Sequence, residues 1–157
     1  MLTVEQKATN DDTWQHIHRV QQLLSRCILE LMYRSEVHDE SKLRSPEVEA
    51  FTEFTAYLAS TTYGSAEYNE YKQAMQPAME HHYAHNRHHP EHFKNGVADM
   101  NLIDLLEMLC DWKAASERHN DGNIRKSLEI NCRRFDIGPQ LLGILENTVA
   151  DLEMDHA

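Results

Sequence analysis

The stretch NLIDLLEMLCDWKAASER, residues 101–118, contains the clearest helical pattern in the sequence. Its apolar residues recur at steps of three and four, the period of an amphipathic helix. These residues are Leu102, Leu105, Leu106, Leu109 and Trp112. The pattern stops before the turn signal Asn-Asp-Gly at 120–122. Residues 101–118 are therefore predicted to form one amphipathic helix.

The rest of the chain shows the same period. Further helices are predicted over residues 14–32, 46–59, 66–85, 124–134 and 139–154. Asp11, Asp12 or Thr13 is expected to cap the first, and Pro77 to kink or divide the third. No run alternates polar and apolar residues long enough for a strand, and no linker is long enough to separate domains. We expect an all-α protein, one helical bundle of about five to seven helices spanning residues 1–157.

The composition excludes several classes of protein. Three cysteines without a paired spacing give no disulfide framework, which points to a reducing compartment. The N-terminus lacks a signal pattern, and no apolar run approaches the ~20 residues that a membrane span needs. Fifteen basic and twenty-six acidic residues leave a formal charge of −11, which repels phosphate backbones. We expect a cytoplasmic protein that binds neither membranes nor nucleic-acid polymers. The sequence leaves open whether the protein forms a homo-oligomer.

Histidines are unusually frequent, and most of them lie in one segment. Six of the eleven fall within residues 81–92: His81, His82, His85, His88, His89 and His92. Their interior, interrupted positions exclude an expression tag. On a helix His81, His85 and His88 can share a face, as can His82, His85 and His89. Because solvated helix faces are normally built from stronger helix formers, part of this segment is predicted to bind a metal or a phosphate.

A second segment combines a histidine with an adjacent carboxylate. In HDESKL, residues 38–43, both side chains can reach one cation if the backbone bends, and mixed nitrogen and oxygen ligands suit Fe, Mn, Zn or Ni. Upstream, His16 shares a helical stripe with Val20, whereas His18 shares one with Gln22. We therefore expect His16 to face the core edge. Considered alone, a helix-end hydrogen bond and a boundary histidine explain these residues as well.

The helix over 101–118 also carries an acidic stripe. Asp104, Glu107 and Asp111 are spaced three and four apart and share one face. Like charges at this spacing repel by a few tenths of a kcal/mol per pair, which a nearby cation would relieve. An exposed acidic face is the alternative.

The order of these residues resembles that of a known superfamily. With His16, His38-Asp39 and Asp111 in chain order, the sequence resembles the HD superfamily of metal-dependent phosphohydrolases, whose ligands follow the order His, His-Asp, Asp. The resemblance implies an HD-like helical bundle with a metal site in its middle.

Several short motifs extend the resemblance to the HD-GYP phosphodiesterases. Residues 38–43 are similar to H-D-x-G-K-[IL], with Ser41 in place of the glycine, and residues 16–20 to H-x-x-R-V. Residues 81–82 resemble the H-H-E pair, with Tyr83 in place of the acid. The Gly-Tyr-Pro element is absent, so cyclic-dinucleotide hydrolysis is not implied.

The whole chain also resembles a small phage and bacterial family without an assigned activity. Its motifs H-D-x-S-K-L, H-H-P-E-H-F and E-M-L-C-D-W-K-A-A stand here at residues 38–43, 88–93 and 107–115. This resemblance is consistent with the same site and names no substrate.

The HD resemblance implies a set of ligands. A first divalent metal would be bound by His16, His38, Asp39 and Asp111. His81 and His82 would hold a second, with Asp39 as the bridge, and Asp104 is a further candidate ligand. The ions expected are Mn, Fe, Co, Ni or Zn, one or two per chain.

The resemblance further implies hydrolysis of a small phosphorylated molecule such as a nucleotide. Lys42 is expected to neutralise a phosphate oxygen, and His85, Arg87 or His89 to donate to the leaving group or the phosphate. A di-iron oxygenase of the HD type is one alternative. Another is a protein without enzymatic activity, which binds a metal or a host factor.

Overall fold

The computed structural model describes residues 2–60, 66–118 and 122–153, and these residues form helices and turns without a β-strand. They contain seven α-helices: α1 (Val4–Val37), α2 (Glu47–Ser60), α3 (Ala66–Ala74), α4 (Gln76–His85), α5 (Leu102–Ser116), α6 (Ile124–Arg134) and α7 (Pro139–Glu153). Three short 3₁₀ helices lie between them: Glu40–Leu43, Pro90–His92 and Gly96–Asp99. The all-α prediction is confirmed.

The chain divides into two compact units, Met1–Val37 and His38–Ala157. The first consists of α1, and the second contains the other helices. That the two form one domain over residues 1–157 stays a prediction. Among the described residues, no helix combines the length and the apolar character that a membrane span requires.

The first helix starts earlier than its apolar pattern indicated. Thr3 donates its backbone N–H to Gln6 Oε1 at 2.9 Å, and Gln6 donates its own to Thr3 Oγ1 at 3.2 Å. This reciprocal pair is a capping box, and it opens α1 at Val4. Residues 11–13 lie inside the helix, so the prediction that one of them caps it was wrong.

Other boundaries follow the sequence closely. Pro77 divides the predicted helix over 66–85, because α3 ends at Ala74 and Pro77 lies in the first turn of α4, where a missing N–H breaks no helical bond. The predicted loop at 61–65 lies outside the described residues, as do residues 120–121 of the predicted turn. Helix α6 begins after Asn123, whose Oδ1 accepts from two backbone N–H groups of its first turn.

The apolar core of the second unit lies between its last three α-helices. Its buried members are Leu109, Ile124, Leu128, Cys132, Ile137, Leu145 and Val149. At their edge the rings of Trp112 and Phe135 stack with 6.1 Å between centroids. The side chains of Met108 and Leu109 on α5 are almost completely buried. Their packing fixes the position of the helix that carries the predicted acidic stripe.

Replacing Leu128 by Ala should lower the free energy of unfolding by about 2–5 kcal/mol, because a fully buried side chain leaves a cavity. Ile130 lies on the same helix but is 60% exposed, so Ile130→Ala should cost less than about 1 kcal/mol. Urea denaturation measures both. Equal losses in the two variants would show that the core is placed incorrectly.

Candidate metal centre

The site is built around Asp39, which follows the end of α1 by two residues. Its φ of 57° lies in the left-handed region, which most side chains avoid and aspartate tolerates better than others. Its carbonyl accepts the Lys42 N–H at 2.9 Å, which begins the 3₁₀ helix Glu40–Leu43. This sharp bend brings His38 Nε2 to 3.8 Å from Asp39 Oδ2, as the adjacent pair of ligands requires.

Helix α4 contributes His82, which is 1% exposed. Its Nδ1 donates to Glu47 Oε2 at 2.9 Å, and a carboxylate can only accept, so the ring proton resides on Nδ1. The lone pair on Nε2 then faces the site, where it lies 3.3 Å from Asp39 Oδ1. His89 Nε2 lies 2.8 Å from the same His82 atom.

Glu47, the first residue of α2, is fully buried. Besides His82, it accepts from His81 Nδ1 at 2.7 Å and from the Ser41 hydroxyl at 3.0 Å. Burial disfavours its charge, but the hydrogen bonds from His81, Ser41 and His82 outweigh this and lower the pKa of the Glu47 carboxyl. Glu47 is therefore an ionised outer partner that fixes the orientation of a ligand histidine.

Glu107 on α5 has the corresponding position on the opposite side. Its Oε1 lies 3.0 Å from His38 Nδ1 and 3.1 Å from His88 Nδ1, and the two rings lie 4.4 Å apart. The opposite ring nitrogens are directed toward the aspartates: His88 Nε2 is 3.5 Å from Asp39 Oδ1, and His38 Nε2 is 3.7 Å from Asp111 Oδ1. Two outer carboxylates thus direct imidazole nitrogens inward.

Within the described part of the chain, three buried polar atoms at this centre make no hydrogen bond: Asp39 Oδ1, His88 Nδ1 and His88 Nε2. The contact of His88 with Glu107 is close, but it lacks hydrogen-bond geometry. A buried polar atom without a partner costs about 1–3 kcal/mol, so natural sites rarely retain one unless a ligand satisfies it. A bound cation would satisfy Asp39 and one nitrogen of His88.

The donor atoms form three overlapping groups, each within 4.8 Å: Asp39, His82, His88 and His89; His38, His88 and Glu107; and His38, Asp39 and Asp111. Ligand atoms about 2.0–2.2 Å from one ion lie roughly 3 Å from each other when adjacent. The 2.8 Å between the His82 and His89 nitrogens fits that spacing. These groups can hold a metal ion.

The charges of the site also favour a cation. Burial opposes the ionised form of Asp39, but the neighbouring His82 ring and the hydrogen bond and charge of the Lys42 ammonium outweigh it and lower the pKa of the Asp39 carboxyl well below its usual range. Burial is the largest of the effects that lower the pKa of His89 to about 3. At neutral pH the carboxylate is therefore ionised and His89 is neutral, the forms in which each binds a metal.

Lys42 lies beside the site. Its Nζ is 2.6 Å from Asp39 Oδ2 and lies 5.5 Å from the centre of the Phe51 ring. The ammonium therefore balances part of the negative charge on the ligand carboxylate.

Asp104 and Arg87 form an ion pair at the start of α5. Arg87 donates Nε and one terminal nitrogen to the two Asp104 oxygens at 3.0 and 2.9 Å. Asp104 also accepts from the Asn101 N–H at 3.0 Å and completes the capping box that starts α5. Asp104 therefore holds both the start of α5 and Arg87 and lies outside the three groups of donor atoms. The roles expected of Asp104 as a metal ligand and of Arg87 toward a phosphate stay predictions.

His81 and His85 lie outside the three groups of ligands. His81 donates to Glu47. The group of donor atoms that contains His82 includes His88 and His89 but not His81. His85 is exposed, and its Nδ1 donates to the His81 carbonyl at 2.7 Å. The catalytic role of His85 stays a prediction. His16 and His18 are both exposed on α1, in the first unit. The assignment of His16 to the site stays a prediction.

Sequence reasoning did not identify His88 as a ligand or Glu47 as an outer partner. His88 belongs to the histidine segment, but it lies in the connection after α4, where helical spacing does not apply. Glu47 had the pattern of an acid at the start of a helix, and nothing in the sequence indicates that it is buried.

Residues 5–151 match a family of unknown function (DUF5662), and this range includes every residue of the site. None of the curated proteins matches the sequence, and none of the solved structures does.

We expect His88→Ala to abolish stoichiometric metal binding, as should His38→Ala and Asp39→Ala, because each removes a donor shared by the groups. The matched control is His92→Ala, since His92 donates to the Tyr83 carbonyl and lies outside the groups. Elemental analysis of the purified variants measures the bound metal. Full metal content in His88→Ala would rule out this centre.

Metal binding at pH 8 should release at least about one proton per ion. The neighbouring carboxylates of Asp111 and Glu107 raise the pKa of His38 to about 10, so this imidazole is protonated at pH 8 and must lose its proton to become a ligand. Calorimetric titrations in buffers of different ionisation enthalpy count the protons. Binding without proton release would exclude His38 as a ligand.

Proposed function

We propose that this chain, which belongs to the family of unknown function (DUF5662), is a metal-dependent phosphohydrolase acting on a small phosphorylated molecule such as a nucleotide. The observation that carries the proposal is the convergence of imidazole nitrogens on Asp39, with their opposite nitrogens near buried carboxylates. The order of His38, Asp39 and Asp111 in the chain, which resembles that of the HD phosphohydrolases, gives the reaction class.

The donor set favours one or two transition-metal ions. Imidazole and carboxylate together suit Mn, Fe, Co, Ni or Zn, whereas Mg and Ca prefer oxygen ligands alone. Asp39 occurs in two of the groups, and a carboxylate shared in this way can bridge a pair of neighbouring ions. The second ion would therefore be held by residues of the same cluster.

An ion at this position would polarise a phosphoryl oxygen and lower the pKa of a bound water toward 7. The chain's own residues prepare the site for it. Glu47 and Glu107 fix the rings of His82 and His38, so that little reorganisation is needed when substrate binds. Asp39 and Asp111 remain ionised and supply the negative charge.

Lys42 is the cation proposed to contact the substrate phosphate. An ammonium cannot bind a metal, but it can donate to a phosphate oxygen. Its side chain is 35% exposed, and its partner Asp39 is itself a candidate metal ligand. A bound phosphate can therefore replace Asp39 as the partner of the Lys42 ammonium. Arg87 is already held by both oxygens of Asp104, which leaves Lys42 as the better-placed cation.

The overall charge supports a small substrate. With a formal charge of −11, the protein repels polyanions over long distances, whereas a single phosphate needs only local compensation.

The main rival is an iron-dependent oxygenase, which the number of imidazoles in the donor set favours. Metal identity after anaerobic purification separates the two: iron with oxygen-dependent turnover supports the oxygenase, and hydrolysis without oxygen supports the phosphohydrolase. The remaining alternative is a protein without turnover that binds a metal or a host factor.

Lys42→Met should lower the rate of hydrolysis roughly thirtyfold to thousandfold, about 2 to 4 kcal/mol, and leave the metal content unchanged. The assay is a panel of nucleoside phosphates and simple phosphoesters with Mn, Co, Fe, Ni and Mg. Arg44→Met is the matched control, because Arg44 lies nearby and pairs with Glu40 at the surface.

Two results would count against the proposal. If no substrate with any metal is hydrolysed above a His38→Ala background, the protein is not a phosphohydrolase of this kind. If Lys42→Met and Arg44→Met turn over equally well, the role given to Lys42 is wrong even where hydrolysis is observed.

A further inference from the structure

The long first helix carries an apolar stripe that is not buried. Over Val4–Val37, all of which the structure describes, no residue of α1 is buried. Five apolar side chains nevertheless lie along one side of this helix, and we call them the α1 stripe: Ile17, Val20, Leu24, Cys27 and Leu31. Its middle residues are exposed, Leu24 by 57%. Single apolar residues are common on protein surfaces, whereas a continuous set of them marks an interaction site.

The spacing of the α1 stripe is that of helices which pack along each other. Its members follow at alternating steps of three and four residues, so they recur every 3.5 residues on average and stay on one line of contact with a second helix. Gln22 lies on the other side of α1, where it accepts from Arg19 at 3.1 Å. A helix that covers the stripe therefore meets apolar side chains and no charge.

The distribution of charge favours a second copy of this chain as the partner. Helix α1 carries four basic and five acidic residues, so nearly all of the formal charge of −11 belongs to the remainder of the chain. Two copies therefore repel each other least where their α1 helices meet. The same balance disfavours a membrane, because helices that lie on membrane surfaces have polar faces rich in Lys and Arg.

We propose that the α1 stripes of two copies of this chain pack against each other and join the copies into a homo-oligomer. An apolar, uncharged surface is complementary to itself, as the contact between two identical subunits requires. Packing removes Leu24 and Cys27 from water and supplies the tertiary contacts from which helices derive most of their stability. The proposal concerns α1 and depends neither on metal binding nor on phosphohydrolase activity.

Analytical ultracentrifugation of the untagged full-length chain measures the association over concentrations of about 1–100 μM. The wild-type chain should sediment as an oligomer. Leu24→Glu should weaken the association on the order of a hundredfold or more, because the stripe offers a buried carboxylate no partner. Gln22→Glu is the matched control, since it adds the same charge to the other side of the same helix. It should change the dissociation constant by less than about threefold.

Thiol labelling shows whether α1 is the surface of contact. Cys27 belongs to the α1 stripe, whereas Cys110 is exposed on α5 and serves as the internal reference. At the highest concentration, Cys27 should be alkylated severalfold more slowly in the wild-type chain than in Leu24→Glu. Cys110 should react equally in both, which also shows that the substitution leaves the surroundings of α5 intact.

Several outcomes would overturn the proposal. A wild-type chain that stays monomeric at every concentration excludes the association, and equal association of Leu24→Glu and Gln22→Glu excludes the stripe as its cause. Equal labelling of Cys27 in the wild-type chain and Leu24→Glu would place the contact on another surface. A monomer that co-sediments with phosphatidylglycerol vesicles would assign the stripe to a membrane surface instead.

Discussion

The hydrogen bonds of buried Glu47 are the constraint on which the site depends. This carboxylate is removed from water at the start of α2, and an isolated buried charge would be strongly destabilising. Three donors compensate it: His81, His82 and Ser41. Because the carboxylate must be satisfied, it fixes the position of α4 relative to the 3₁₀ helix Glu40–Leu43 and the proton on His82. Ser41 of the HDESKL segment is therefore a structural link as well as part of a motif.

Helix α5 joins this polar cluster to the apolar core. Leu109 packs between α6 and α7, while Glu107 and Asp111 on the same helix reach His38 and His88. Arg87 and Asn101 hold the beginning of the helix through Asp104. The core thus sets the position of the carboxylates. The rest of the fold holds these like charges close together against their mutual repulsion. A cation would relieve their repulsion.

Local sequence patterns are sufficient to predict the all-α fold, the division at Pro77 and both ends of α6, because these features arise locally. The pairing of His38 with Asp39 was also visible as an adjacent dipeptide. What the sequence could not show were long-range contacts between polar groups. Burial of Glu47 and the pairing of Arg87 with Asp104 depend on the tertiary fold. The sequence also does not distinguish an acid that caps a helix from one that binds a metal. His88 was overlooked because it lies in an irregular connection.

The central claim is that a metal ion lies among Asp39, His82 and His88. Anomalous diffraction from crystals of the protein purified without chelators, recorded on both sides of the absorption edge of each metal found by elemental analysis, tests it most directly. The account predicts an anomalous peak within about 2.0–2.3 Å of the Nε2 atoms of His82 and His88 and of an Asp39 oxygen. A chain that carries no metal after supplementation with Mn, Fe, Co, Ni and Zn, or an ion bound only at other residues, would contradict it.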